Sequence, residues 1–528
     1  MDRRDVILLE GGEPLSSILA GTLLLTATGL FSQVVGFLYR MLLSRLIGAE
    51  TMGLYQLVMP VYSMLMSLSA VGLTVAVSTL SARYHALDDD GAVKDLLRRA
   101  LGSFFLLAVP LGLIVTTLSD PISVYLLGDA RTRLGVALLA PCVLLTGVEN
   151  LHKHCFYGIG RVRPPAAVET AEQIIRAAAV LGLLLLFPAR TAEQSVGVIV
   201  LGMILCEVFS ACALTLLFRR YWRRSPPAPA RERVSRGRLF SIALPVGANA
   251  VLGTVLGSAN AVLIPAKLVE GGMALPDAMA EFGVISGMTL PMLALPTGFI
   301  GALCLVMVPD LSRRTAQEGP RAAAGVLDRV MSATSLLMAP AMALLAVIGP
   351  TMGRAMFRDG RVGELILPLA VGTLLGCWQS VLSGALNGLG LQAKGARNAI
   401  LSDVVQLVFT FFAVPRLGLA GFAAGYLASG LAGAALNLAS VLRAAGLRAK
   451  FFEWFVRPVL AAVFMGLWCS LLFRVMLDAG CGEGGSAMAC AALGLVLYTA
   501  ALLAQGLSVT VVFARFRKQF FKRKGTAL

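Results

Sequence analysis

Residues 36–48 read GFLYRMLLSRLIG, and Arg40 stands among them directly after a stretch, Pro14–Tyr39, that carries no charge. Its flanks are Leu, Ile, Val and Phe. A lipid-facing arginine near mid-membrane costs about 2.5–3.5 kcal/mol or more. The guanidinium therefore needs water, a headgroup or an anion beside it.

The surrounding composition makes the setting a membrane. The 528 residues are 57% hydrophobic and only 14% charged, against roughly 25% charged in a soluble domain. Mean hydropathy is +0.81. A net charge of +16 would point to nucleic acid in a soluble protein. Here it is read as Lys and Arg in loops that fix topology, and no nucleic-acid partner is expected. The nine cysteines show no CxxC and no ligand spacing, so no metal site or disulfide framework is expected. The opening MDRRDVILLEGGEPLSS (1–17) has acidic residues inside its first apolar patch and does not read as a cleaved signal peptide.

A bilayer crossing takes about 20 apolar residues, and on that measure about fourteen helical spans are expected. They lie near 17–43, 54–82, 100–118, 134–158, 166–187, 195–218, 239–266, 281–308, 327–349, 364–389, 399–415, 419–442, 457–477 and 487–512. With the N-terminus inside, the cytoplasmic segments hold roughly three times as many Lys and Arg as the external ones, a bias of the kind that sets topology. The richest inside segment is RRYWRRSPPAPARERVSRGR (219–238), a Pro-rich basic linker. The tail RFRKQFFKRKG (515–525) is polybasic and suited to anionic membrane lipids.

The sequence also repeats. Pro60 precedes LSAR (80–83) as Pro291 precedes LSRR (311–314), at an offset of 231 that also relates Arg98 to Arg329. At an offset of 230, YGIGRVRPPA (157–166) lies over NGLGLQAKGA (387–396). The expected organisation is all-α: an N-lobe of spans 1–6 (1–218), the linker (219–238), a C-lobe of spans 7–12 (239–450), and spans 13–14 with the tail (451–528). Six spans per repeat make the repeats parallel, and two such lobes would enclose a central cavity able to face either side.

Polar residues lie along one face of several spans. Thr22, Thr26, Gly29, Gln33, Gly36 and Arg40 are spaced by three and four, as are Gln56, Pro60, Ser63, Ser67, Ala70, Thr74 and Ser78. The seventh span carries Asn249, Gly253, Gly257, Asn260 and, a turn later, Lys267. Close helix packing accounts for the glycines and serines; Arg40 asks for a hydrated cavity, where it could bind phosphate bidentately. The candidate cavity residues are Arg40, Gln33, Gln56, Asn249, Asn260 and Lys267, with Glu172 and Arg176. The last two form an i, i+4 pair in the favourable order. That pair reads either as a structural ion pair or as a source of a partly released arginine for an anionic ligand. Glu149, Glu207 and Asp403 lie within or near spans, and Asp403 is the candidate for a coupling cation, although no carboxylate pair has diagnostic spacing. No GxSxG, Walker or HExxH motif occurs and no cofactor or catalytic residue is expected, so the chain reads as a transporter rather than an enzyme.

Residues 36–84 (GFLYRMLLSRLIGAETMGLYQLVMPVYSMLMSLSAVGLTVAVSTLSARY), AVLIPAKLVEGG (261–272), GVISGMTLPMLALPTGFIGALCLVMVPDLS (283–312) and ETAEQIIRAAAV (169–180) resemble the stage V sporulation protein B-like flippases. These form a polysaccharide-flippase branch of the multidrug/oligosaccharidyl-lipid/polysaccharide exporter superfamily. The resemblance implies two six-helix lobes around a central cavity, two added C-terminal helices, and movement of an undecaprenyl-linked saccharide of the peptidoglycan type. It implies a polyprenyl-pyrophosphate-linked saccharide as partner, and it matches Arg40 to the first-helix cavity arginine of the related lipid II flippases. Where those flippases carry further arginines on the second and eighth helices, this chain has Met64–Ser67 and Thr289–Met292; Lys267 could replace part of that charge. The alternatives are a drug/cation antiporter of the same superfamily and, from other classes, a membrane-embedded transferase or an envelope-assembly scaffold.

Overall fold

One glycine interrupts the first and longest helix. In the computed structural model, which describes residues 15–223 and 235–506, helix α1 (Leu15–Met66) is continuous except at Gly48, with φ 76° and ψ 173°. A residue with a Cβ resists that left-handed φ. At 1.5 Å per residue the 52 residues of α1, two helical segments across the Gly48 kink, add up to about 78 Å of helix, enough for two crossings of a hydrocarbon core about 30 Å thick. A π-turn, Ser67–Val71, then leads into α2 (Gly72–Ala86).

Every longer element among the described residues is a helix, and no strand occurs among them. Lipid leaves backbone groups no partner outside the segment, which only a helix or a closed barrel can satisfy. The helices that follow are α3 (Asp90–Thr117), α4 (Leu139–Gly158), α5 (Arg163–Leu186), α6 (Ala192–Trp222), α7 (Arg236–Glu270) and α8 (Leu275–Gly283). Then come α9 (Gly298–Glu318), α10 (Ala324–Phe357), α11 (Ile366–Gly388), α12 (Gln392–Phe412), α13 (Leu419–Ala445), α14 (Arg457–Asp478) and α15 (Glu483–Ala504).

The expected count of fourteen spans is not reached on length and apolarity. Ten helices among the described residues qualify, or eleven if the pair Ala130–Ala137 and α4, bent by 42°, is one span. The first is the 63-residue run Leu24–Ala86 that Gly48 divides. With that run taken as two crossings and the bent pair as one, the remaining shortfall lies in α5 and α12, which carry Glu169, Glu172 and Arg176, and Lys394, Arg397 and Asp403, within 24 and 21 residues. Of segment 219–238, residues 219–222 complete α6 and 236–238 open α7, while 224–234 lie outside the described residues, as do the N-terminal 1–14 and the polybasic tail.

The chain divides into two units. One runs to Ile47 and takes up Leu54–Val262; the other holds Gly48–Gly53 and continues from Leu263. The same local constructions recur in them 230 residues apart. In the first, Asp129 caps a 3-10 turn (Ala130–Thr132) through the Arg131 amide at 3.0 Å and receives the Arg131 guanidinium, Nη2 at 2.7 Å. In the second, Asp359 caps Gly360–Gly363 through the Arg361 amide at 3.0 Å and receives Nη2 of Arg361 at 2.7 Å. The preceding residues, Gly128 and Arg358, both have positive φ (75° and 59°). Likewise a Cβ on Gly158 would lie 2.5 Å from the Ser78 carbonyl oxygen, and one on Gly388 would lie 3.1 Å from that of Val308. α4 meets α2 as α11 meets α9, through a glycine.

In the second unit α14 and α15 pack on each other and on α10. The Trp454 indole donates to Asp328 at 2.8 Å, and the Tyr498 hydroxyl donates to the Leu336 carbonyl at 3.2 Å.

Candidate functional site

α4, α5 and α6 bring five charged side chains together in the first unit. Gly202 sets the spacing: a Cβ there would fall 2.8 Å from Cα of Val180, so α6 runs close against α5. Glu149 and Lys153 are one turn apart on α4 and pair at 3.3 Å. Glu172 and Arg176 are one turn apart on α5 and pair directly, and Arg176 reaches across to Glu207 of α6 at 3.2 Å. One carboxylate oxygen from each of Glu149, Glu172 and Glu207 lies within 4.8 Å of the others. The three residues are 3%, 5% and 2% exposed, so bulk water screens them little and the pairing has to offset their desolvation. Three carboxylates face two cations. Oε2 of Glu207 is buried and has no hydrogen-bond partner.

The second unit carries a neutral version at the same spacing. The residues 230 positions after Glu149, Lys153, Glu172, Arg176 and Glu207 are Gln379, Ser383, Ser402, Gln406 and Asn437. They sit on α11, α12 and α13. Ser402 Oγ lies 3.4 Å from Gln379 Oε1, Asn437 Nδ2 donates to the Gln379 carbonyl at 3.1 Å, and Ser429 Oγ donates to Gln406 Oε1 at 3.0 Å. Asn398 donates to Asn437 Oδ1 at 3.0 Å. Amides and hydroxyls meet here without a net charge, although Gln406 Nε2 and Asn398 Oδ1 are buried without a partner among the described residues.

Arg40 is half-buried on α1 beside the buried Tyr39. It acts electrostatically on Tyr39 and Tyr55, and Arg176 acts on the same two phenols. No carboxylate among the described residues pairs with Arg40. Gln33 and Gln56, also on α1, are half-buried and engaged in polar interactions, as is Asn260 on α7. Asn249 is exposed. Lys267 is in the second unit, buried, paired with Glu270 at 2.6 Å and set over the Phe411 ring at 3.6 Å. Asp403, on α12, is half-buried with no ion pair among the described residues. Of the sequence candidates, the structure joins Glu172 and Arg176 and adds Glu149, Lys153 and Glu207. The added residues come from other helices, and the signal that relates all five is their common register in the repeat.

The fold is that of membrane transporters of the multidrug/oligosaccharidyl-lipid/polysaccharide exporter superfamily. The lipid II flippase MurJ in an inward closed conformation superposes with a TM-score of 0.69 at 12% identity, over 91% of this chain and 98% of that one. An inward-facing multidrug transporter of the MATE family superposes at 0.59 and 15% identity, over 79% and 96%. The chain belongs to the family described as polysaccharide biosynthesis protein, whose model matches residues 18–314. Among its relatives is stage V sporulation protein B of Bacillus subtilis (strain 168), 24% identical over 448 residues, 83% of this chain and 86% of the relative.

Proposed function

We propose that this protein is a flippase that moves an undecaprenyl-linked saccharide precursor of the peptidoglycan type across the cytoplasmic membrane by alternating access, with both termini in the cytosol. One observation carries the reading: Arg40 lies half-buried in an apolar helix with no carboxylate partner among the described residues. A guanidinium so placed is ready for an anionic ligand, and its fork of donors matches a pyrophosphate better than an ammonium does. The family match over residues 18–314 and the relationship to stage V sporulation protein B support a lipid-linked saccharide as the cargo class. Positioning and electrostatics suffice for such transport, and no covalent chemistry is asked of the chain.

The experiment is complementation of a strain depleted of its lipid II flippase, together with binding of undecaprenyl-pyrophosphoryl sugars to the purified protein. Arg40→Ala should abolish both while the protein remains at near-normal abundance. Arg40→Lys should restore only part. Equal binding by wild type and Arg40→Ala would defeat the proposal. The second reading, an organic-cation antiporter, draws on the carboxylates of Glu149, Glu172 and Glu207. It predicts export of organic cations by the wild type.

A further inference from the structure

We infer that Glu149, Glu172 and Glu207 form a single-proton site, the proton being shared between Glu149 and Glu207, and that this site couples transport to the proton gradient. The inference rests on the flippase reading only for what is transported.

Charge supplies the first argument. The three carboxylates with Lys153 and Arg176 total one negative charge too many when all are ionised, in a place where each glutamate is at least nine-tenths buried. An uncompensated buried charge is strongly unfavourable. One bound proton removes it.

The phenols and thiols that face the group from α1, α4 and α6 add no charge to it. Tyr39, Tyr55 and Tyr62 face the group from α1 and are neutral phenols, as Cys142 of α4 and Cys206 of α6 are neutral thiols. Tyr157 of α4 is a further phenol, beside Lys153. Glu169 of α5 adds a negative charge beside Lys153, and Arg40 adds a positive one beside Tyr39 and Tyr55. These two cancel.

Geometry supplies the second argument. Oε2 of Glu207 is enclosed and receives no donor. The Thr146 hydroxyl faces Glu207 but gives its hydrogen to the Cys142 carbonyl at 2.9 Å and accepts from Tyr62 at 3.2 Å. A proton on Glu207 would turn this orphaned acceptor into a donor, inside a cluster where one oxygen each of Glu149, Glu172 and Glu207 lies within 4.8 Å of the others. The step is a simple one: a carboxylate oxygen takes up H⁺ and becomes a carboxylic acid, and release regenerates the carboxylate.

The third argument is internal to the molecule. The corresponding three helices of the second unit meet through Gln379, Ser402 and Asn437, with Gln406 in the place of Arg176. Helix packing at these positions therefore needs polar groups and not ionisable ones. The charged set is an addition made in one unit, and what it adds is the capacity to titrate. A divalent metal would have to share these carboxylates with two fixed cations, which a proton need not do.

The test is infrared difference spectroscopy across pH on the purified full chain in nanodiscs, reading the carbonyl stretch of a protonated carboxylic acid. Wild type should show about one such group, absent from Glu207→Gln and from Glu149→Gln and unchanged in Glu193→Gln at the N-terminus of α6. Arg176→Gln, which deepens the deficit, should raise the band. If the single variants fold poorly, the combined set Glu149→Gln, Lys153→Ser, Glu172→Ser, Arg176→Gln and Glu207→Asn installs the arrangement of the second unit and should lack the band. A band absent from wild type, a band indifferent to both glutamate variants, or a band abolished by sodium at constant pH would each overturn the proton site. In proteoliposomes a proton gradient should accelerate saccharide-lipid movement by wild type several-fold and not by Glu207→Gln; wild type indifferent to the gradient would overturn the coupling. The spectroscopy uses no substrate, so a proper band in a protein that moves no saccharide lipid leaves the site standing and removes the flippase reading instead.

Discussion

Gly53 and Gly283 lie against each other with no room for a side chain on either. A Cβ on Gly53 would fall 2.0 Å from the Met279 carbonyl oxygen, and one on Gly283 would fall 2.0 Å from that of Ala49. The contact is reciprocal: 49 and 53 stand to 279 and 283 in the 230-residue register of the repeat. Backbone, unlike a flexible side-chain tip, does not yield cheaply. Overpacking costs typically 1–3 kcal/mol, occasionally more. Gly53→Val and Gly283→Val should each lower the melting temperature clearly in detergent. Gly102→Ala, an exposed position with open space around it, should leave it unchanged or slightly raised. Equal melting of all four proteins would refute the close approach.

Arg176 holds two glutamates on two helices, so its loss leaves buried carboxylates facing one another. Removing one partner of a buried pair costs about 3–5 kcal/mol. Arg176→Ala should therefore melt well below wild type. Adding Glu172→Ser and Glu207→Asn, the residue types found at 402 and 437, should recover most of the loss. A melting curve for the triple variant no better than that of Arg176→Ala would contradict this account.

The Asp359 turn predicts acid sensitivity outside the membrane. The hydrogen bond from the Arg361 side chain, aided by the Arg361 amide, holds the Asp359 carboxyl below its ordinary value. A depressed carboxylate contributes stability above its unfolded value, about pH 4, and loses it as pH falls through the lower folded value. Pepsin cleavage within 358–363 should rise as the wild type is taken below about pH 4. Asp359→Asn, which lacks the titrating group, should be cut to a similar extent throughout. Identical profiles for the two proteins would remove the ion pair as the cause.

Topology follows from the Lys and Arg bias. In a background without native cysteines, a membrane-impermeant thiol reagent added outside should label Ala130→Cys and miss Gln317→Cys, both exposed positions. Labelling with the opposite preference would invert the proposed orientation.

Helices were legible in the sequence because the membrane permits little else once composition is known. The repeat was legible too, from YGIGRVRPPA and NGLGLQAKGA. The Glu172–Arg176 pair could be read because i, i+4 neighbours share a face within one helix. Glu149 and Glu207 could not be added to it, since their meeting depends on how close α6 comes to α5 at Gly202. Aligning polar positions across the 230-residue register, Glu149 with Gln379 and Glu207 with Asn437, would have flagged them. Lys267 is a candidate cavity residue by its register on the seventh span. Glu270 lay within view three residues on, but the Phe411 ring arrives from a helix far along the chain. The fourteen-span expectation includes α5 and α12, whose polar residues meet side chains of adjoining helices at Glu207, Gln379 and Asn437 and so lower the mean apolarity of both helices.

The paired Asp129 and Asp359 turns bear on biogenesis. Each is closed by residues only two positions apart, so each can form as soon as its own few residues have left the translocon. Neither waits for sequence synthesised later. A chain made in order can thus fix the corner between α3 and α4 while the corner between α10 and α11 is still being translated. A protein assembled from two successive halves gains a checkpoint in each, and a lesion at Asp129 should stall insertion earlier than the same lesion at Asp359.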